Sequence, residues 1–459
     1  FSRRRRHPRL PTRSRGLGDV YKRQVVSTGK VYIESFGCQM NAFDAEVLES
    51  MLEGEGFGIS SDPSEADIIL VNTCSVRENA ERRAIGRLND LSRHEDAVLA
   101  VCGCMAQRLG DRLFELVPAL NIVAGPDTYT ALPSAISSAL SGEGRKVLVD
   151  EDSSVTYRLD KVSGSSPTRY LSITRGCENF CSYCIVPYVR GKVRSKDTAA
   201  VVDDLRLLAA SGAKEVTLLG QNVMAYRSGD CGFTGLLRMI LDETGIERIR
   251  FLTTHPRDVE DGIFSLMSED GRICPHIHLP FQAGSDRILA LMNRGYTRSD
   301  YLAITERARE LCPDISFTTD IIVGFPGETD GDFKETLEIV ERVRSDSAFT
   351  FKSSPREGTG AAGMEDDVPE DVKKERLETL NSSVQRIRRE IMGSRLGSIE
   401  EILLDARVKK GEYQFLKGRT PHFRNVLIGP ENRKLGDIVR VVLKELSNFT
   451  FIGEEISGR

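Results

Sequence analysis

The 459-residue sequence predicts a three-part α/β protein: a parallel sheet with helices on both faces, an incomplete barrel of six strand–helix units, and a small β-barrel. Three observations predict it. Strand and helix patterns alternate over about residues 29–140, and six further strand candidates separated by helices lie between 169 and 365. Short alternating stretches punctuated by Gly411, Gly418, Gly429 and Gly436 then fill Ser398 to Ile456. A hydrophobic content of 40% and a charged content of 29% are those of a globular chain. No apolar run approaches the roughly 18 residues of a membrane span.

The first stretch, Phe1 to Gln24, stands apart, with eight Arg and one Lys against a single Asp. Its run Gly16 to Gln24 resembles a recurrent adaptor-derived translation, and residues 1–28 are read as an artefactual or disordered basic tail. An RNA-binding arm and a transit peptide are the other readings; the apolar core of a secretory signal is missing. Without Phe1 to Gln24 the formal net charge falls from −5 to −13, so bulk charge gives no support for nucleic-acid binding. Residues 369–459 carry 18 Lys and Arg against 14 Asp and Glu, which makes the carboxy-terminal fifth the place to look.

In the first folded segment, strands are expected at Val31–Phe36, Ala66–Asn72, Ala97–Val101 and Ile122–Gly125. Helices are expected at Asp44–Gly54, Arg77–Arg93, Gln107–Leu116 and Ala131–Leu140. This rhythm predicts a parallel sheet of the flavodoxin or Rossmann kind. Residues 141–168, rich in Gly, Ser, Asp and Glu, read as a linker. The second segment has strand candidates at Tyr170–Thr174, Glu215–Gly220, Arg248–Thr254, Ile277–Phe281, Ser316–Val323 and Ala348–Lys352. Six units in about 200 residues suit an incomplete (β/α)6 barrel, with its site at the carboxyl ends of the strands. A charged helix, Glu370–Met392, precedes tail strands at Glu401–Asp405, Arg424–Ile428, Ile438–Leu443 and Thr450–Glu454.

Ten cysteines without a secretory signal point to metal ligation rather than disulfides. Cys177, Cys181 and Cys184 fall within eight residues at the end of the first barrel strand. Three thiolates so spaced can ligate three irons of a [4Fe–4S] cube and leave the fourth open to a ligand. A tetrahedral zinc site needs a fourth Cys or His close by, and the sequence offers none there. Cys38, Cys74 and Cys104 each sit at a strand-to-helix junction, and in a parallel sheet those junctions share one edge. They can hold a second cube, or be three buried structural cysteines. Cys102 reads as a core residue, and Cys231, Cys274 and Cys312 as buried or unremarkable thiols.

Gly220, Gln221 and Asn222 end the second barrel strand, and Asp320, Gly324 and Glu328 mark the end of the fifth. Glycine admits close backbone approach, and polar neighbours can bond the charged ends of an amino-acid-like cofactor, although turn geometry alone also explains such glycines. Tyr183 can pack on an adenine ring. His276 and His278 share a face of one strand, where core or substrate-contact roles compete with metal ligation. Lys417, Arg419, His422 and Arg424 interleave with Phe423 in a stretch expected between two tail strands, either an RNA contact surface or a solvated loop.

The runs Gly37-Cys38-Gln39-Met40-Asn41, Asn72-Thr73-Cys74-Ser75-Val76-Arg77 and Gly103-Cys104-Met105-Ala106-Gln107 resemble the amino-terminal domain of the methylthiotransferases. Cys177, Cys181 and Cys184 resemble that family's radical S-adenosylmethionine (SAM) motif, and Ser398 to Ile456 is similar to the OB-like TRAM barrel that binds RNA. The resemblance covers the chain from about Lys30 onward. Gln39-Met40 and the run Asn79 to Ala84 resemble the MiaB branch, which acts on isopentenyladenosine in tRNA. Two departures stand out: Ser353-Ser354 where the branch usually has Tyr-Ser, and Pro421-His422-Phe423-Arg424 where many members have Asp-Thr-Asn-Lys.

The resemblance implies a methylthiotransferase domain over 29–140, a linker over 141–168, a radical SAM barrel over 169–395 and a TRAM domain over 396–457. It implies two [4Fe–4S] clusters and SAM as cofactors. One cluster, on Cys177, Cys181 and Cys184, cleaves SAM to a radical that removes hydrogen from carbon 2 of adenine. The other, on Cys38, Cys74 and Cys104, carries the sulfur that a second SAM methylates. The implied partners are a tRNA with isopentenyladenosine beside the anticodon and a flavodoxin- or ferredoxin-type electron donor, for a monomeric cytoplasmic enzyme. The competing readings are a methylthiotransferase of a ribosomal-protein aspartate and a non-catalytic iron–sulfur RNA-binding protein.

Overall fold

The computed structural model describes residues 29–75, 78–149, 156–159, 161–162, 164–430 and 433–456. The basic tail of residues 1–28 and the pair Val76-Arg77 lie outside the described residues.

Six parallel strands form the first sheet, in the order Gly58–Ser60, Lys30–Ser35, Ile68–Thr73, Val98–Gly103, Ile122–Ala124, Lys146–Leu148. Ile68–Thr73 and Val98–Gly103 are buried at every residue, because helices cover both faces. Ile68, Leu70, Ala100 and Cys102 pack with Phe43, Val47 and Leu48 of the helix Gln39–Gly54 and with Ile136 of Leu132–Leu140. On the other face, Ile69, Val71, Leu99 and Val101 meet Ala84 and Leu88 of Glu78–Leu91, with Met105 and Leu113. Chain order reverses between Lys30–Ser35 and Ile68–Thr73, so the crevice of this sheet opens beyond the carboxyl ends of those two strands.

Two strands of this sheet were not expected. Gly58–Ser60 and Lys146–Leu148 are three-residue edges with one side open, too short to show a period. The second of them corrects the linker reading of 141–168. Within that stretch Tyr157 is also buried: its ring stacks on Tyr129 with centroids 5.3 Å apart, and its hydroxyl donates to the carbonyl of Pro126 at 2.8 Å. The described residues of this stretch touch both neighbours: Tyr157 also lies against the Arg175 guanidinium, and the Leu159 N–H donates to Asp204 Oδ1 at 3.4 Å.

The barrel consists of two parallel three-stranded sheets. Thr168–Ser172, Glu215–Leu219 and Arg248–Phe251 make one, and His276–His278, Ser316–Val323 and Ser347–Lys352 the other. An isolated parallel bridge between Ile249 and Ile273 stands at their junction. Helices Thr198–Ala210, Phe233–Glu243, Asp261–Glu269, Arg298–Leu311 and Asp330–Val343 alternate with the strands. Thr329 opens the last of these with a reciprocal Thr329/Asp332 capping box. The long helix Glu370–Gly393 lies on the last strand and buries Leu380 and Ile387 in the barrel's core.

Five strands close the tail barrel in the order Ile399–Lys410, Tyr413–Arg419, Asn425–Ile428, Thr450–Glu455, Ile438–Ser447. Tyr413–Arg419 is the strand missed in the sequence, since its exposed first half reads as polar loop. It pairs antiparallel with Ile399–Lys410, so Lys417 and Arg419 lie on a strand rather than in a loop.

Candidate functional site

Each cysteine of the amino-terminal trio follows a strand of the parallel sheet at the crevice. Cys38 precedes the helix Gln39–Gly54, Cys74 follows Ile68–Thr73, and Cys104 begins the helix after Val98–Gly103. The turns need glycine for room. A Cβ on Gly37 would stand 2.4 Å from the Cβ of Cys74, and one on Gly103 would stand 2.4 Å from the carbonyl oxygen of Thr73; both residues have positive φ. Asn41 and Asn72 lock the turns together. Asn41 Nδ2 donates to Asn72 Oδ1 at 2.9 Å and to the Thr73 carbonyl at 3.0 Å, while Asn72 Nδ2 donates back to the Asn41 carbonyl at 2.9 Å. The Cys38 thiol donates to Asn41 Oδ1 at 3.3 Å. A hydrogen bond with Cys74 is the main cause that draws the solvent-exposed Cys38 thiol down to about 6, against partial desolvation by its neighbours. Burial raises Cys104, partly offset by Arg190, whose Nε donates to Cys104 Sγ at 3.0 Å.

The second trio lies in the loop after Thr174-Arg175. Its backbone is tied down by Ser182 N–H to the Met292 carbonyl (3.0 Å), Ala361 N–H to the Ser182 carbonyl (2.6 Å) and Asn293 Nδ2 to the Phe180 carbonyl (2.9 Å). Arg294 Nη1 donates to Cys181 Sγ at 3.2 Å and to the Tyr183 hydroxyl at 3.3 Å. Burial first, then the neighbouring Cys181, pushes Cys184 up to about 12. A buried arginine thus stands against one sulfur of each trio, Arg190 at Cys104 and Arg294 at Cys181. Sequence reasoning missed both, because nothing in a sequence separates a buried arginine from the commoner exposed one.

The donor sets suit iron–sulfur cubes. Each trio offers three sulfur ligands beside a fixed positive charge, which favours the thiolate form a cluster requires. Among the described residues no group of three His, Cys, Asp or Glu is arranged to hold a single metal ion. A cube makes a different demand, since its three thiolates bind three separate irons.

The segments that carry the two trios meet at one seam. The short helix Val186–Arg190 starts two residues after Cys184, and Ile185 and Val189 pack against Cys104. Arg190 Nη2 donates to Asp44 Oδ2 at 2.8 Å, and Arg175 Nη1 to Asp44 Oδ1 at 3.1 Å. Burial pushes the Asp44 carboxyl up, but the two guanidinium groups outweigh it and hold it below the usual range. Alongside, Arg194 reaches Asp127 in a two-pronged pair at 2.9 and 3.0 Å. Beyond the last barrel strand, Arg356 donates to Glu81 Oε2 at 3.1 Å and to the Ser75 carbonyl at 2.9 Å, holding the turn that carries Cys74.

Of the residues expected to meet the cofactor, Gln221 accepts from the Gly176 N–H at 2.6 Å through Oε1. Gly220 lies where a Cβ would overlap Thr174 Oγ1. Asn222 donates to Asp258 Oδ2 at 2.6 Å, and its buried Oδ1 has no hydrogen-bond partner among the described residues. Asp320 stands beside His278, Oδ2 to Nε2 at 3.4 Å. Tyr183 packs with Ala283, Ile288 and Phe325. Glu328 Oε2 accepts from the Gly324 N–H at 2.7 Å and pairs with Arg376 of the long helix at 2.9 Å, while its buried Oε1 has no hydrogen-bond partner among the described residues. These two residues clamp a turn to that helix. His276 and His278 both contact the hydroxyl of Thr318, at 3.1 and 3.0 Å.

The RNA-facing expectation is corrected for His422 and Arg424. Both are buried where the tail barrel meets the central barrel. His422 Nε2 lies 2.8 Å from Asp314 Oδ2, and Arg424 donates to Asp346 at 2.6 Å. Phe423 stacks on His276, while Arg250 donates to the carbonyls of Thr420 and Pro421, each at 2.7 Å. Arg419 is half-buried on Asp405 at 3.0 Å, and Lys417 is partly exposed. Exposed basic and aromatic positions of the tail include Arg407, Lys409, Lys410 and Tyr413 toward the tip of the first hairpin, and Arg433, Lys434, Arg440 and Lys444 beyond it.

A family profile described as "Uncharacterized protein family UPF0004" matches residues 30–125, and one described as "Radical SAM superfamily" matches residues 171–340. The chain is 43% identical over 436 residues to a protein of Syntrophus aciditrophicus named tRNA-2-methylthio-N(6)-dimethylallyladenosine synthase, with 92% of this chain and 94% of that protein covered. A protein of the same name from Geobacter sulfurreducens is 40% identical, with 94% of this chain and 98% of that protein covered. Among solved structures, the radical SAM methyltransferase TsrM from Kitasatospora setae, with tryptophan and a SAM analogue bound, is similar in fold. Its TM-score is 0.55 at 16% identity, covering 70% of this chain and 72% of that one.

Proposed function

Because this chain belongs to the tRNA-2-methylthio-N(6)-dimethylallyladenosine synthase family within the radical SAM superfamily, we propose that it adds a methylthio group to carbon 2 of isopentenyladenosine beside the anticodon of tRNA. The chain is an enzyme of the radical SAM kind, and SAM and an iron–sulfur cluster follow from that family. The finer assignment is two [4Fe–4S] clusters, one on Cys177, Cys181 and Cys184 and one on Cys38, Cys74 and Cys104. Bound there, clusters and SAM supply radical chemistry for a ring C–H bond too weakly acidic for a general base, and the sulfur to be transferred.

The chain's own groups bind and orient. Gln221, fixed on the backbone of Gly176, and Asn222, with a buried oxygen free to accept, receive the charged ends of SAM, with Asp320 beside them. Tyr183 forms an apolar wall. Ile185 and Val189, packed on Cys104, keep water from the seam. Residues 29–140 then serve sulfur delivery, 169–395 radical generation, and 396–457 contact with tRNA through the hairpin of Arg407 to Tyr413. Lys417 and Arg419 flank that hairpin. A flavodoxin- or ferredoxin-type donor, a cytoplasmic location and a monomeric state belong to the same proposal. No helix among the described residues is long and apolar enough to cross a membrane.

The observation that carries this reading is the packing of Cys104 of one trio against Ile185, the neighbour of Cys184 in the other. Mass spectrometry of tRNA nucleosides from a deletion strain tests it. Isopentenyladenosine without its methylthio group is the expected result; intact 2-methylthio nucleoside with loss of a ribosomal-protein modification overturns it.

A further inference from the structure

We infer that Arg190 is a positioning residue for the amino-terminal sulfur site, reaching across from the barrel to fix the Cys104 ligand and to supply the positive charge that an anionic cluster needs. The inference rests on the two-cluster reading above and adds a role that the motif cysteines do not carry.

The argument starts from charge. A guanidinium stays protonated under all ordinary conditions, so a buried one must be balanced by anions or hydrogen-bond acceptors. Arg190 has only 2% of its side chain exposed. In its ion-pair network stand three arginines, Arg175, Arg190 and Arg194, against two carboxylates, Asp44 and Asp127. Asp44 is shared between Arg175 and Arg190, and Asp127 is taken bidentately by Arg194. Among these described groups guanidinium charges outnumber carboxylates, and Arg190, which shares Asp44 with Arg175, is the one that stands against Cys104.

Hydrogen bonding points the same way. Arg190 Nε reaches Cys104 Sγ at 3.0 Å and Nη2 reaches Asp44, while the buried Nη1 has no acceptor among the described residues. The guanidinium thus has a shared counter-ion and a spare donor next to a sulfur ligand. A thiolate at Cys104, with the anionic cluster it helps to hold, supplies further negative charge.

Chain connectivity adds a geometric role. Arg190 ends the five-residue helix Val186–Arg190 that begins two residues after Cys184, and this helix packs on the one that Cys104 starts. The side chain is therefore a strut between the two ligand sets.

The test uses the full chain with Cys177, Cys181 and Cys184 replaced by Ala, so that only the amino-terminal site can take up iron. Arg190→Gln, Arg190→Lys and Asp44→Asn are added to this parent and reconstituted without oxygen. Iron content, the rate of iron loss to a chelator, and the midpoint potential from electron paramagnetic resonance titration are then measured. Arg190→Gln is expected to lose iron roughly ten- to a hundredfold faster than the parent and to shift the potential to more negative values, because a positive charge that favours the reduced cluster is gone. Arg190→Lys recovers part of the potential, and Asp44→Asn, which keeps the guanidinium and removes a negative charge, shifts it the other way, to less negative values. Unchanged potential and unchanged iron retention in Arg190→Gln overturn the inference while leaving the two-cluster reading intact. The same holds if Asp44→Asn reproduces the full shift, which makes the arginine only a partner of Asp44. A parent that takes up no iron overturns the two-cluster reading and this inference with it.

Discussion

The imidazole of His276 and the ring of Phe423 lie face to face, 4.8 Å between centroids and 14° between planes. One belongs to the fourth strand of the central barrel and the other to a loop of the tail barrel, so the stack joins the two at the amino-terminal end of the strand His276–His278. Arg250 and Arg419 approach the same ring at 5.3 and 5.1 Å.

Phe423→Ala removes the stack and both cation–π contacts. It is expected to cost about 2 kcal/mol at the seam and to make the tail barrel easier to cleave off in limited proteolysis. Denaturation and cleavage rates equal to those of the parent chain would show that the stack contributes little.

The seam should weaken in acid. The His422 ring, with Nε2 2.8 Å from Oδ2, is the main cause that holds the Asp314 carboxyl well below its usual range, with Arg395 beside it. A depressed carboxylate gives stability that is complete above its unfolded value and is lost as pH falls through the folded one. Tail docking should thus loosen below about pH 4, and Asp314→Asn should flatten that part of the profile. Proteolysis followed against pH checks both.

Replacing Cys38, Cys74 and Cys104 together by Ala should lower iron after anaerobic reconstitution from about eight to about four per chain. SAM cleavage to 5′-deoxyadenosine should persist while thiolation of tRNA stops. Iron that stays at the parental level in this variant places the second site elsewhere.

Gly37→Ala puts a methyl group 2.4 Å from the Cβ of Cys74. The turn must shift, so iron at the amino-terminal site should fall while the barrel's cluster is retained. Iron content in the background without the barrel cysteines measures the loss, and 5′-deoxyadenosine release by the variant with those cysteines in place measures the retention. Full iron in the variant means that the turn adapts.

Under the proposed function the hairpin tip contacts tRNA. Lys409→Glu with Lys410→Glu should weaken binding of an anticodon stem-loop and flatten its salt dependence by about two phosphate contacts. Tyr413→Ala should weaken it by about 1–3 kcal/mol if a base stacks there. Fluorescence anisotropy across a salt series tests each, and unchanged affinity in all of these variants removes the hairpin from the interface.

Much of this architecture was legible because the relevant patterns are local. The strand Ser316–Val323 was placed to the residue, and the six cysteines stood at strand ends where an α/β sheet opens. What was hidden depends on partners distant in sequence. Gly58–Ser60 and Lys146–Leu148 are strands only because a neighbour completes their ladders. The run 420–424 has the composition of an RNA-binding loop, and only its burial under Arg250 and His276 shows another use. Arg190 and Arg294 carry no motif, and their importance comes from the sulfur atoms 86 and 113 residues away that they touch.

The docking of the tail has a consequence for how the protein is made. Thr420 and Pro421 cap the guanidinium of Arg250, a residue translated some 170 positions earlier. Until residues 420–423 have left the ribosome, Arg250 and the stacked face of His276 therefore have no lid. The tail barrel completes the packing at that end of the central barrel, so a chain lacking it leaves both side chains uncovered.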